Sequence, residues 1–464
     1  MTSSSLVKRP LTDIIAWCDQ ASRKGVDCEI SVNDFIQHVT SFAEQLPDLQ
    51  YAINLCTNRY AFLVSFCAVI IRGQTNLLPP SQAIDEIKSI VADYSDSYCI
   101  VNDSFADLAI EQVYINVNDI RHAETNKLQA AMPEIQDSHI AAVAFTSGSE
   151  GIPKANDKRW IDIISCAELA IERFELGHGE ALISTVPSQH MYGLETSILF
   201  PLVVDCKIYN GQPFYPENIR MAIEAIKHDH EAVLISTPVH LKACVKANIK
   251  WAAVKLIISA AATLPQSLAR DITGAFNARL KEIYGCTEAG SMATRETVLT
   301  TDWLAHKGVS FYESNDTFFV KAAHLPEDVA LSDVLKLNSD NSFELLGRNS
   351  ELIKVAGKRG HISDLNAKLL QIAEVKSGVF YLPDNVNNDD GNIDVQRLVA
   401  FVVAPKADKE VILQQLAKKI DPAFMPRPLY VVDALPFTST GKLPRKQLQE
   451  LYVHQQQTNS SRRI

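Results

Sequence analysis

At 464 residues, the chain is long enough for about three domains, or for one large body with a smaller appendage. Its composition, 47% hydrophobic and 21% charged, is typical of a globular enzyme, and a formal net charge of −11 argues against a nucleic-acid partner. The N-terminus lacks the apolar core of a signal peptide, and the longest apolar run, at 62–71, is too short to span a bilayer. Nine scattered cysteines without a Cys-x-x-Cys pair predict buried thiols in a reducing cytoplasm, and none indicates a metal site.

The predicted elements alternate between helices and buried strands. Residues 10–50 carry amphipathic helical stretches. A strand at 51–56, an apolar helix at 60–72 and a strand at 74–78 follow, which is the succession of a parallel crossover unit. Residues 1 to about 347 are therefore predicted to form a layered α/β body. Its further strands are predicted at 97–102, 140–145, 181–185, 206–209, 232–236 and 255–259.

Residues 145–154, Phe-Thr-Ser-Gly-Ser-Glu-Gly-Ile-Pro-Lys, form a loop rich in hydroxyls and glycines directly after a predicted strand. Gly148 and Gly151 let backbone N–H groups approach an anion closely, and Lys154 adds a point charge that suits a polyphosphate. The spacing is not that of a Walker A loop, because Ala155 stands where Ser or Thr would bind magnesium. The alternatives are an ordinary Gly/Ser turn and a phosphate loop of another class, which we favour. The hydroxyl donors are Thr146, Ser147 and Ser149.

Residues 282–291, Glu-Ile-Tyr-Gly-Cys-Thr-Glu-Ala-Gly-Ser, carry groups that could serve a nucleotide. Tyr284 offers a ring face for a base, and Thr287 offers a hydroxyl for a phosphate. Glu288 offers the hard oxygen ligand that magnesium prefers. Taken alone, this stretch could equally be a strand that ends in a polar turn.

Two later stretches hold single charged residues at predicted loop or strand ends. Asp333 and Arg348 could hold a ribose diol by paired hydrogen bonds. Lys442 lies on a Thr/Ser/Gly loop within Leu-Pro-Phe-Thr-Ser-Thr-Gly-Lys-Leu-Pro-Arg. Each of these residues, considered alone, has the alternative of a solvated surface charge.

Four motifs in this order resemble the adenylate-forming superfamily of acyl-CoA synthetases, stand-alone adenylation domains and luciferases. They are Thr-Ser-Gly-x-x-Gly-x-Pro-Lys, Tyr-Gly-x-Thr-Glu, Asp…Gly-Arg…Lys-x-x-Gly and Pro-x-Thr-x-x-Gly-Lys-x-x-Arg. The resemblance extends over nearly the whole chain. It implies a large layered α/β N-terminal body at 1–348, which binds ATP and an acid. It also implies a small mobile α+β domain at 349–464 that carries the catalytic lysine.

The resemblance also implies a reaction and a role for each residue. In that family a carboxylic acid attacks the α-phosphate of ATP in the presence of Mg²⁺, and a thiol then displaces AMP to give a thioester. Lys442 would bridge the carboxylate and the α-phosphate as charge builds there, and Glu288 would bind Mg²⁺. The implied ATP-binding residues are Thr146, Ser147, Gly148, Ser149, Gly151, Lys154, Ala260, Ala261, Ala262, Thr263, Tyr284, Gly285, Thr287, Asp333 and Arg348.

His190, in Pro-Ser-Gln-His-Met-Tyr-Gly, matches the position where the family places an aromatic gate beside the acyl pocket. The implied substrate pocket consists of His190, Tyr192, Ser236, Ala261 and Gly285. The segment around His190 is similar to small ligases of aryl-polyene or fatty-acid-like pathways, which implies an aryl or short acyl acid.

Three departures from the family pattern bear on these expectations. Glu150 places a negative charge in the phosphate loop, so its side chain is expected to point away from the nucleotide. Ala260 and Ala261 replace a more usual Gly-Gly pair and are expected to narrow the acyl pocket. Ser350 stands at the expected hinge of the terminal domain, where Asp or Lys is usual.

Charge divides unevenly between the two expected domains. Residues 349–464 contain 16 Lys and Arg against 12 Asp and Glu, whereas residues 1–348 contain 28 against 43. A basic terminal domain on an acidic body would attract an acidic acyl carrier protein, which would supply a phosphopantetheine thiol. Coenzyme A carries phosphates and is the alternative acceptor.

Two other functions remain open at this point. An amino-acid-activating domain would need an acidic residue near His190 for the substrate ammonium, and the motif there is His-Met-Tyr-Gly. A catalytically silent nucleotide-binding homologue would have no need of all five charged residues that the motifs retain: Lys154, Glu288, Asp333, Arg348 and Lys442.

Overall fold

The chain forms two compact units in the structure, which is a computed structural model. Unit 1 comprises Met1–Ser310 and Lys321–Val329, and unit 2 comprises Phe311–Val320 and Ala330–Ile464. The predicted boundary after residue 348 adjoins residues outside the described part, so it stays a prediction. The described residues are 2–17, 29–102, 109–116, 130–147, 153–226, 230–348, 352–355, 358–383, 397–405, 408–437 and 443–461.

A six-stranded sheet organises the first part of unit 1. The strands up to residue 159 are β1 (Ser3–Ser5), β2 (Ile14–Trp17), β3 (Glu29–Ser31), β4 (Tyr51–Asn54), β5 (Thr75–Leu78), β6 (Ser97–Val101), β7 (Gln112–Tyr114), β8 (Glu134–Gln136), β9 (Ile140–Ser147) and β10 (Pro153–Arg159). The sheet order is β10-β9-β5-β4-β6-β7, and β1 pairs separately with β8. The helices of this part are α1 (Val32–Ala43), α2 (Arg59–Ile71) and α3 (Ile84–Asp93).

The predicted crossover unit is confirmed, because β4 and β5 pair in parallel and α2 connects them. Asn58 caps α2: its side chain accepts a hydrogen bond from the backbone N–H of Ala61 at 3.0 Å. The residues of α2 are apolar on nearly every face, and almost all of them are buried. A helix with this pattern belongs inside the body, where it packs between layers.

A second sheet follows in unit 1 and runs in the order β17-β16-β15-β14-β13-β11-β12-β2-β3. Its new strands are β11 (Glu180–Ser184), β12 (Cys206–Tyr209), β13 (Ala232–Ser236), β14 (Leu256–Ser259), β15 (Arg279–Cys286), β16 (Gly290–Arg295) and β17 (Trp303–Ala305). The helices are α4 (Trp160–Phe174), α5 (Met191–Leu194), a π-helix (Glu195–Leu199), α6 (Phe200–Val203), α7 (Pro216–Glu224), α8 (Pro238–Lys246) and α9 (Gln266–Phe276).

The central strands of this sheet are parallel and buried. Strand β13 pairs in parallel with β11 and β14, β14 pairs in parallel with β15, and all residues of β11, β13 and β14 are buried. Continuous apolar runs are typical of parallel strands that are covered on both faces. Ligands of open α/β sheets bind beyond the carboxyl ends of such strands, which directs attention to the residues after Ser184, Ser236 and Ser259.

The prediction for residues 10–50 is partly wrong. Helix α1 forms as expected, but Ile14–Trp17 and Glu29–Ser31 are strands. Strand β2 pairs in parallel with β12, almost two hundred residues later, and antiparallel with β3. A four-residue strand has too few residues to establish a period, and its partner is distant in sequence, so its pattern alone could not reveal it.

Unit 2 contains small sheets and helices. Its strands are β18 (Ser310–Ser314), β19 (Thr317–Lys321), β20 (Val329–Leu331), β21 (Asp333–Leu337), β22 (Ser342–Arg348), β23 (Leu352–Val355), β24 (Lys358–His361), β25 (Ser377–Tyr381), β26 (Val399–Val403) and β27 (Leu429–Val431). The helices are α10 (Ile362–Leu370), a 3₁₀-helix (Pro422–Phe424), α11 (Lys409–Ala417) and α12 (Arg445–Ser461). Strand β21 pairs with β22, β23 with β24, and β25, β26 and β27 form one sheet. Together, the two units give the expected mixed α/β fold. Within the described part of the chain, we find no helix that has both the length and the hydropathy to cross a bilayer.

Candidate active site

The predicted phosphate loop connects the two strands of a β-hairpin. Strands β9 and β10 pair antiparallel, so that Ser147 lies opposite Pro153 and Thr146 lies opposite Lys154. Residues directly opposite each other in such a pair have Cβ atoms only about 5 Å apart. The hairpin therefore brings the Thr146 hydroxyl and the exposed Lys154 to the same end of the sheet. The loop residues Gly148, Ser149, Glu150 and Gly151 lie outside the described residues.

A tight turn between β15 and β16 carries the next predicted site residues. Cys286 lies opposite Gly290 in the pairing, and Gly285 lies opposite Ser291. A Cβ atom at position 285 would come within 2.5 Å of the Gly290 carbonyl oxygen, so only glycine fits there. The turn presents Thr287 and Glu288 half-buried at its tip.

Lys158 fixes this turn from β10 and was not singled out from the sequence. Its Nζ donates a hydrogen bond to the backbone carbonyl of Glu288 at 2.7 Å. Burial lowers the pKa of Lys158 below its usual value, and the nearby Cys286 and Glu288 offset only part of this effect. Lys154 and Lys158 lie on the same face of β10, because side chains two and four residues apart in a strand point the same way. One strand therefore carries a lysine beside the predicted phosphate loop and another that contacts the turn.

The predicted adenine-side residues follow β14 and lie in β15. Tyr284 is buried, and its ring centroid lies 5.6 Å from that of Trp303. Of the four residues after β14, Ala260 is buried and Ala262 is half-buried, whereas Ala261 and Thr263 are exposed. The nucleotide roles of these residues stay predictions.

Ala261 adopts a left-handed backbone conformation, with φ of 73°. A residue with a Cβ atom pays about 1–2 kcal/mol for this conformation. We expect Ala261→Gly to raise the free energy of unfolding by about 0.5–1 kcal/mol. Glycine removes the backbone strain, but its larger conformational entropy in the unfolded chain offsets part of this stabilisation. The matched control is Ala262→Gly, at a neighbour outside the positive-φ region, which should lower the free energy of unfolding. Urea denaturation measures both; destabilisation by both substitutions would contradict the strain at position 261.

The predicted acid pocket is built on the carboxyl ends of β13 and β14. The Tyr192 hydroxyl donates to the carbonyl oxygens of Ser236, at 3.1 Å, and Ile258, at 2.7 Å. Burial raises the pKa of Tyr192 well above its usual value, which keeps this donor neutral. The Ser236 hydroxyl is fully buried and lies 2.9 Å from that of Thr185. Both hydroxyls are therefore engaged with the protein, and the role of Ser236 in the acid pocket stays a prediction. The half-buried His190 precedes α5 as its N-cap residue.

Arg59 supports the segment before His190 and was also missed from the sequence. Its guanidinium is fully buried and donates to the carbonyl oxygens of Ser184, at 3.0 Å, and Val186, at 2.9 Å. It also donates to the hydroxyls of Ser188, at 3.1 Å, and Ser197. Burial lowers the pKa of Arg59 to about 9, so the side chain stays charged at neutral pH. The signal in the sequence was an arginine at the start of an otherwise apolar helix.

In unit 2, the two predicted ribose residues are direct neighbours. Asp333 and Arg348 are opposite each other at the ends of two consecutive antiparallel strands, β21 and β22. The Asp333 side chain is half-buried. This placement is compatible with joint binding of one diol, which stays a prediction. Lys442 and Ser350 lie outside the described residues, so their roles as catalytic lysine and hinge stay predictions too.

The predicted metal site, at Glu288, is suited to a magnesium ion that is bound jointly by this carboxylate and by the phosphates of a nucleotide. Within the described ranges, no group of three or more His, Cys, Asp or Glu side chains could hold a metal ion without further ligands. Mg²⁺ is typically bound through one or two carboxylates together with substrate phosphates. Glu288 offers one such carboxylate on the fixed turn. The neighbouring Cys286 is a poor competitor for the ion, because burial and the charge of Glu288 raise the pKa of its thiol to about 12.

Comparison with known protein families gives two matches. Residues 30–311 match the profile of the AMP-binding enzyme family, and residues 387–442 match that of the AMP-binding enzyme C-terminal domain. The first match alone covers more than half of the chain, including the β9–β10 hairpin, the predicted acid-pocket residues and the β15–β16 turn. The second spans the position of Lys442.

Individual relatives are distant. Bacitracin synthase 3 of Bacillus licheniformis is 24% identical over 361 residues, which is 67% of this chain but 6% of that protein. The chain thus spans only a small fraction of the first curated relatives. Among solved structures, ATP-bound MatB of Rhodopseudomonas palustris has a TM-score of 0.79 at 17% identity and covers 96% of this chain and 97% of its own. O-succinylbenzoate coenzyme A synthetase (MenE) of Bacillus subtilis, solved with ATP and a magnesium ion, has a TM-score of 0.77 at 14% identity, with 94% and 97% coverage.

Proposed function

The chain belongs to the AMP-binding enzyme family, and from that premise we propose that it activates a carboxylic acid with ATP and transfers the acyl group to a thiol. In the first half-reaction, a carboxylate oxygen bonds to the α-phosphorus of ATP, the bond from that phosphorus to the bridging oxygen breaks, and pyrophosphate leaves. In the second, the thiol sulfur attacks the acyl carbonyl, AMP leaves, and the thiol proton passes to solvent. We place this reaction in the reducing cytoplasm, since six of the seven described cysteines are buried free thiols.

One observation carries the proposal: within unit 1, the acid-pocket segment and the β15–β16 turn are held in the same body. Tyr192 is hydrogen-bonded to the ends of β13 and β14, and β14 pairs directly with β15, which leads to Thr287 and Glu288. A carboxylate beside His190 and Tyr192 would therefore lie near the predicted α-phosphate and Mg²⁺ residues. Holding two reactants in this way converts a bimolecular step into an effectively unimolecular one.

Each residue would have a distinct role in the first half-reaction. Lys154 and Thr146 would bind the β- and γ-phosphates, and the Thr287 hydroxyl would bind the α-phosphate. Glu288 would hold Mg²⁺, which when bound neutralises charge on the phosphate oxygens. Lys442 would stabilise the charge that develops between the carboxylate and the α-phosphate. Asp333 and Arg348 would hold the ribose. MatB and MenE, solved with ATP, support the nucleotide part of this proposal.

Amino-acid activation is the second candidate, because bacitracin synthase 3 is a peptide synthase relative. It would need a free carboxylate for the substrate ammonium. Glu195 is the acidic residue of the His190 segment, and its two oxygens accept hydrogen bonds from Ser291 and Cys166. That engagement disfavours an ammonium at Glu195, so we favour an acid without an amino group.

The test is ATP-dependent pyrophosphate release across a panel of aryl, short acyl, long-chain and amino acids. We expect the highest kcat/KM with an aryl or short acyl acid, since Ala260 and Ala261 replace smaller residues beside the pocket. Preference for palmitate over benzoate-type acids would contradict the expected pocket size. Preference for an amino acid would favour the second candidate, and silence with every acid would favour a nucleotide-binding homologue without activity.

The acyl acceptor is proposed to be an acyl carrier protein with a phosphopantetheine arm, in preference to coenzyme A. The terminal residues 349–464 are net basic, whereas residues 1–348 are net acidic. Lys418 and Lys419 are exposed at the end of α11 and could meet an acidic carrier. The basic Arg445 of the same domain is engaged within it, because its guanidinium lies over the Tyr381 ring and donates to the Leu382 carbonyl.

We expect Lys418→Glu with Lys419→Glu to raise the KM for a carrier protein about 3- to 10-fold, because surface charges mainly set the rate of encounter. Added salt should also raise the KM of the wild type for the carrier protein, because salt screens surface charges and the Debye length is only about 8 Å at physiological ionic strength. Steady-state thioester formation measures KM for carrier and for coenzyme A. The charge-matched control is Lys246→Glu with Lys250→Glu, on the exposed surface of unit 1. Equal effects of both pairs, or equal efficiency with coenzyme A, would contradict the assignment.

A further inference from the structure

A buried carboxylate lies directly behind the β15–β16 turn. Glu195 is the first residue of the π-helix and is 4% exposed. Its carboxylate accepts hydrogen bonds from the backbone N–H of Ser291, at 3.2 Å, and from the Ser291 hydroxyl. The thiol of Cys166, on α4, lies 3.7 Å from the same carboxylate. Ser291 immediately follows Gly290, which closes the turn that carries Thr287 and Glu288.

If only the stability of the fold is considered, this arrangement is unfavourable. A buried carboxylate loses its hydration, and the donors that surround Glu195 here are a backbone amide, a hydroxyl and a thiol rather than a cation. Burial raises the pKa of Glu195 to about 7, while the hydrogen bonds from Ser291 and Cys166 act in the opposite direction. An apolar side chain of similar size would fill the same space at lower cost. The carboxylate therefore serves another purpose than packing.

The geometry around the turn indicates that purpose. On one side, Lys158 donates to the Glu288 carbonyl at 2.7 Å. On the other side, Glu195 accepts hydrogen bonds from the backbone N–H and the hydroxyl of Ser291. Glu195 also belongs to the helical segment that begins at His190 and contains Tyr192, and π-helical turns are frequent at functional sites. One side chain thus connects the acid-pocket segment to the turn.

We propose that Glu195 is a positioning residue that holds the Thr287–Glu288 turn in register with the acid-pocket segment. The inference rests on the proposed function and deepens it, because it states how one body aligns the acid with the Mg²⁺·ATP site. Glu195 touches neither substrate, so its influence on binding passes through Ser291 and the turn. Residues that orient a metal ligand from behind typically change metal affinity about 10- to 100-fold when they are removed.

The test separates metal-dependent from metal-independent nucleotide binding, without relying on catalysis. Thermal unfolding is followed with ATP plus Mg²⁺ and with ATP plus EDTA, and the stabilisation is converted to an apparent affinity. We expect Glu195→Ala to weaken Mg²⁺·ATP binding about tenfold, and ATP binding in EDTA less than about threefold. Glu195→Gln keeps the shape and one acceptor oxygen, so its affinity should lie closer to that of the wild type.

The matched control is Glu180→Gln. Glu180 is also buried, accepts from the backbone N–H groups of Gly177 and His178, and is ion-paired with Lys255. It begins β11 at the end opposite Ser184, away from the pocket. This variant should lower the stability of the unliganded protein but leave the magnesium-dependent gain in affinity unchanged.

Three results would be decisive. If Glu195→Ala and Glu180→Gln lose nucleotide affinity equally with and without Mg²⁺, the role of Glu195 is structural only and the inference is wrong. If Glu195→Ala binds Mg²⁺·ATP as tightly as the wild type, the inference is wrong while the proposed function stands. If the wild type itself is not stabilised by Mg²⁺·ATP, the proposed function fails first and the inference falls with it.

Discussion

Lys442→Ala is expected to lower the rate of acyl-adenylate formation at least about 10²-fold, the effect of removing one preorganised donor from a developing charge. The physical reason is that lysine would be the cation nearest to the oxygen atoms that gain charge as the carboxylate attacks the α-phosphorus. The measurement is acid-dependent pyrophosphate release under single-turnover conditions. The expectation rests on the Pro-x-Thr-x-x-Gly-Lys-x-x-Arg motif and on the C-terminal family match, which ends at residue 442.

The second half-reaction supplies the internal control. Thiolation of a chemically supplied acyl-adenylate should be affected much less in Lys442→Ala, because the family resemblance implies that the lysine leaves the site before that step. Lys446→Ala removes an exposed lysine four residues later and should leave both half-reactions intact. Equal losses in both half-reactions would show that Lys442 acts through the stability of its domain, and the assignment would be refuted.

The parts of the fold that the sequence predicted well are those determined by local pattern. Continuous apolar runs at 232–236 and 206–209 predicted strands whose bounds are confirmed to the residue. The strand before the phosphate loop was also predicted, but it extends to Ser147 rather than ending at residue 145, and Lys154, predicted to lie in the loop, lies in strand β10, because β9 and β10 pair with each other. Asp333 and Arg348 were predicted to act together from their positions at strand or loop ends, and they lie opposite each other in the β21–β22 pairing.

What the sequence could not predict depends on contacts between distant segments. Strand β2 exists because β12 provides its parallel partner. Arg59 is, by its sequence alone, an arginine at the start of a helix, and its four acceptors lie more than a hundred residues later. Glu195 is a polar residue in an apolar stretch, and its role appears only once Ser291 is placed against it. Single buried charges of this kind have no periodicity by which to be found.

Gly290→Ala is expected to lower the free energy of unfolding by about 2–5 kcal/mol and the rate of adenylation about 10²-fold. Gly290 has φ of 74°, where an added Cβ costs about 1–2 kcal/mol. The new methyl group would also come within 2.6 Å of the Cys166 sulfur, and overpacking of this kind costs about 1–3 kcal/mol. Because Cys166 is buried on α4, the turn with Thr287 and Glu288 must shift. A displacement of about 1 Å at reacting groups can cost 10²-fold in rate.

Gly308→Ala separates backbone strain from the clash. Gly308 has φ of 76° and also lies in unit 1, and a Cβ atom added there would meet no other atom of the described residues within 4 Å. This variant should lower the free energy of unfolding only by the backbone strain of about 1–2 kcal/mol, and it should retain adenylation. A second variant tests the clash itself: adding Cys166→Ala to Gly290→Ala removes the opposing sulfur, together with its hydrogen bonds to Glu195 and Ser291. Stability should therefore recover part of the way towards that of Gly308→Ala, and adenylation should be faster than in Gly290→Ala alone. Urea denaturation and pyrophosphate release measure the two effects. If Gly290→Ala behaves like Gly308→Ala in both assays, the packing of Cys166 against Gly290 does not set the position of the turn.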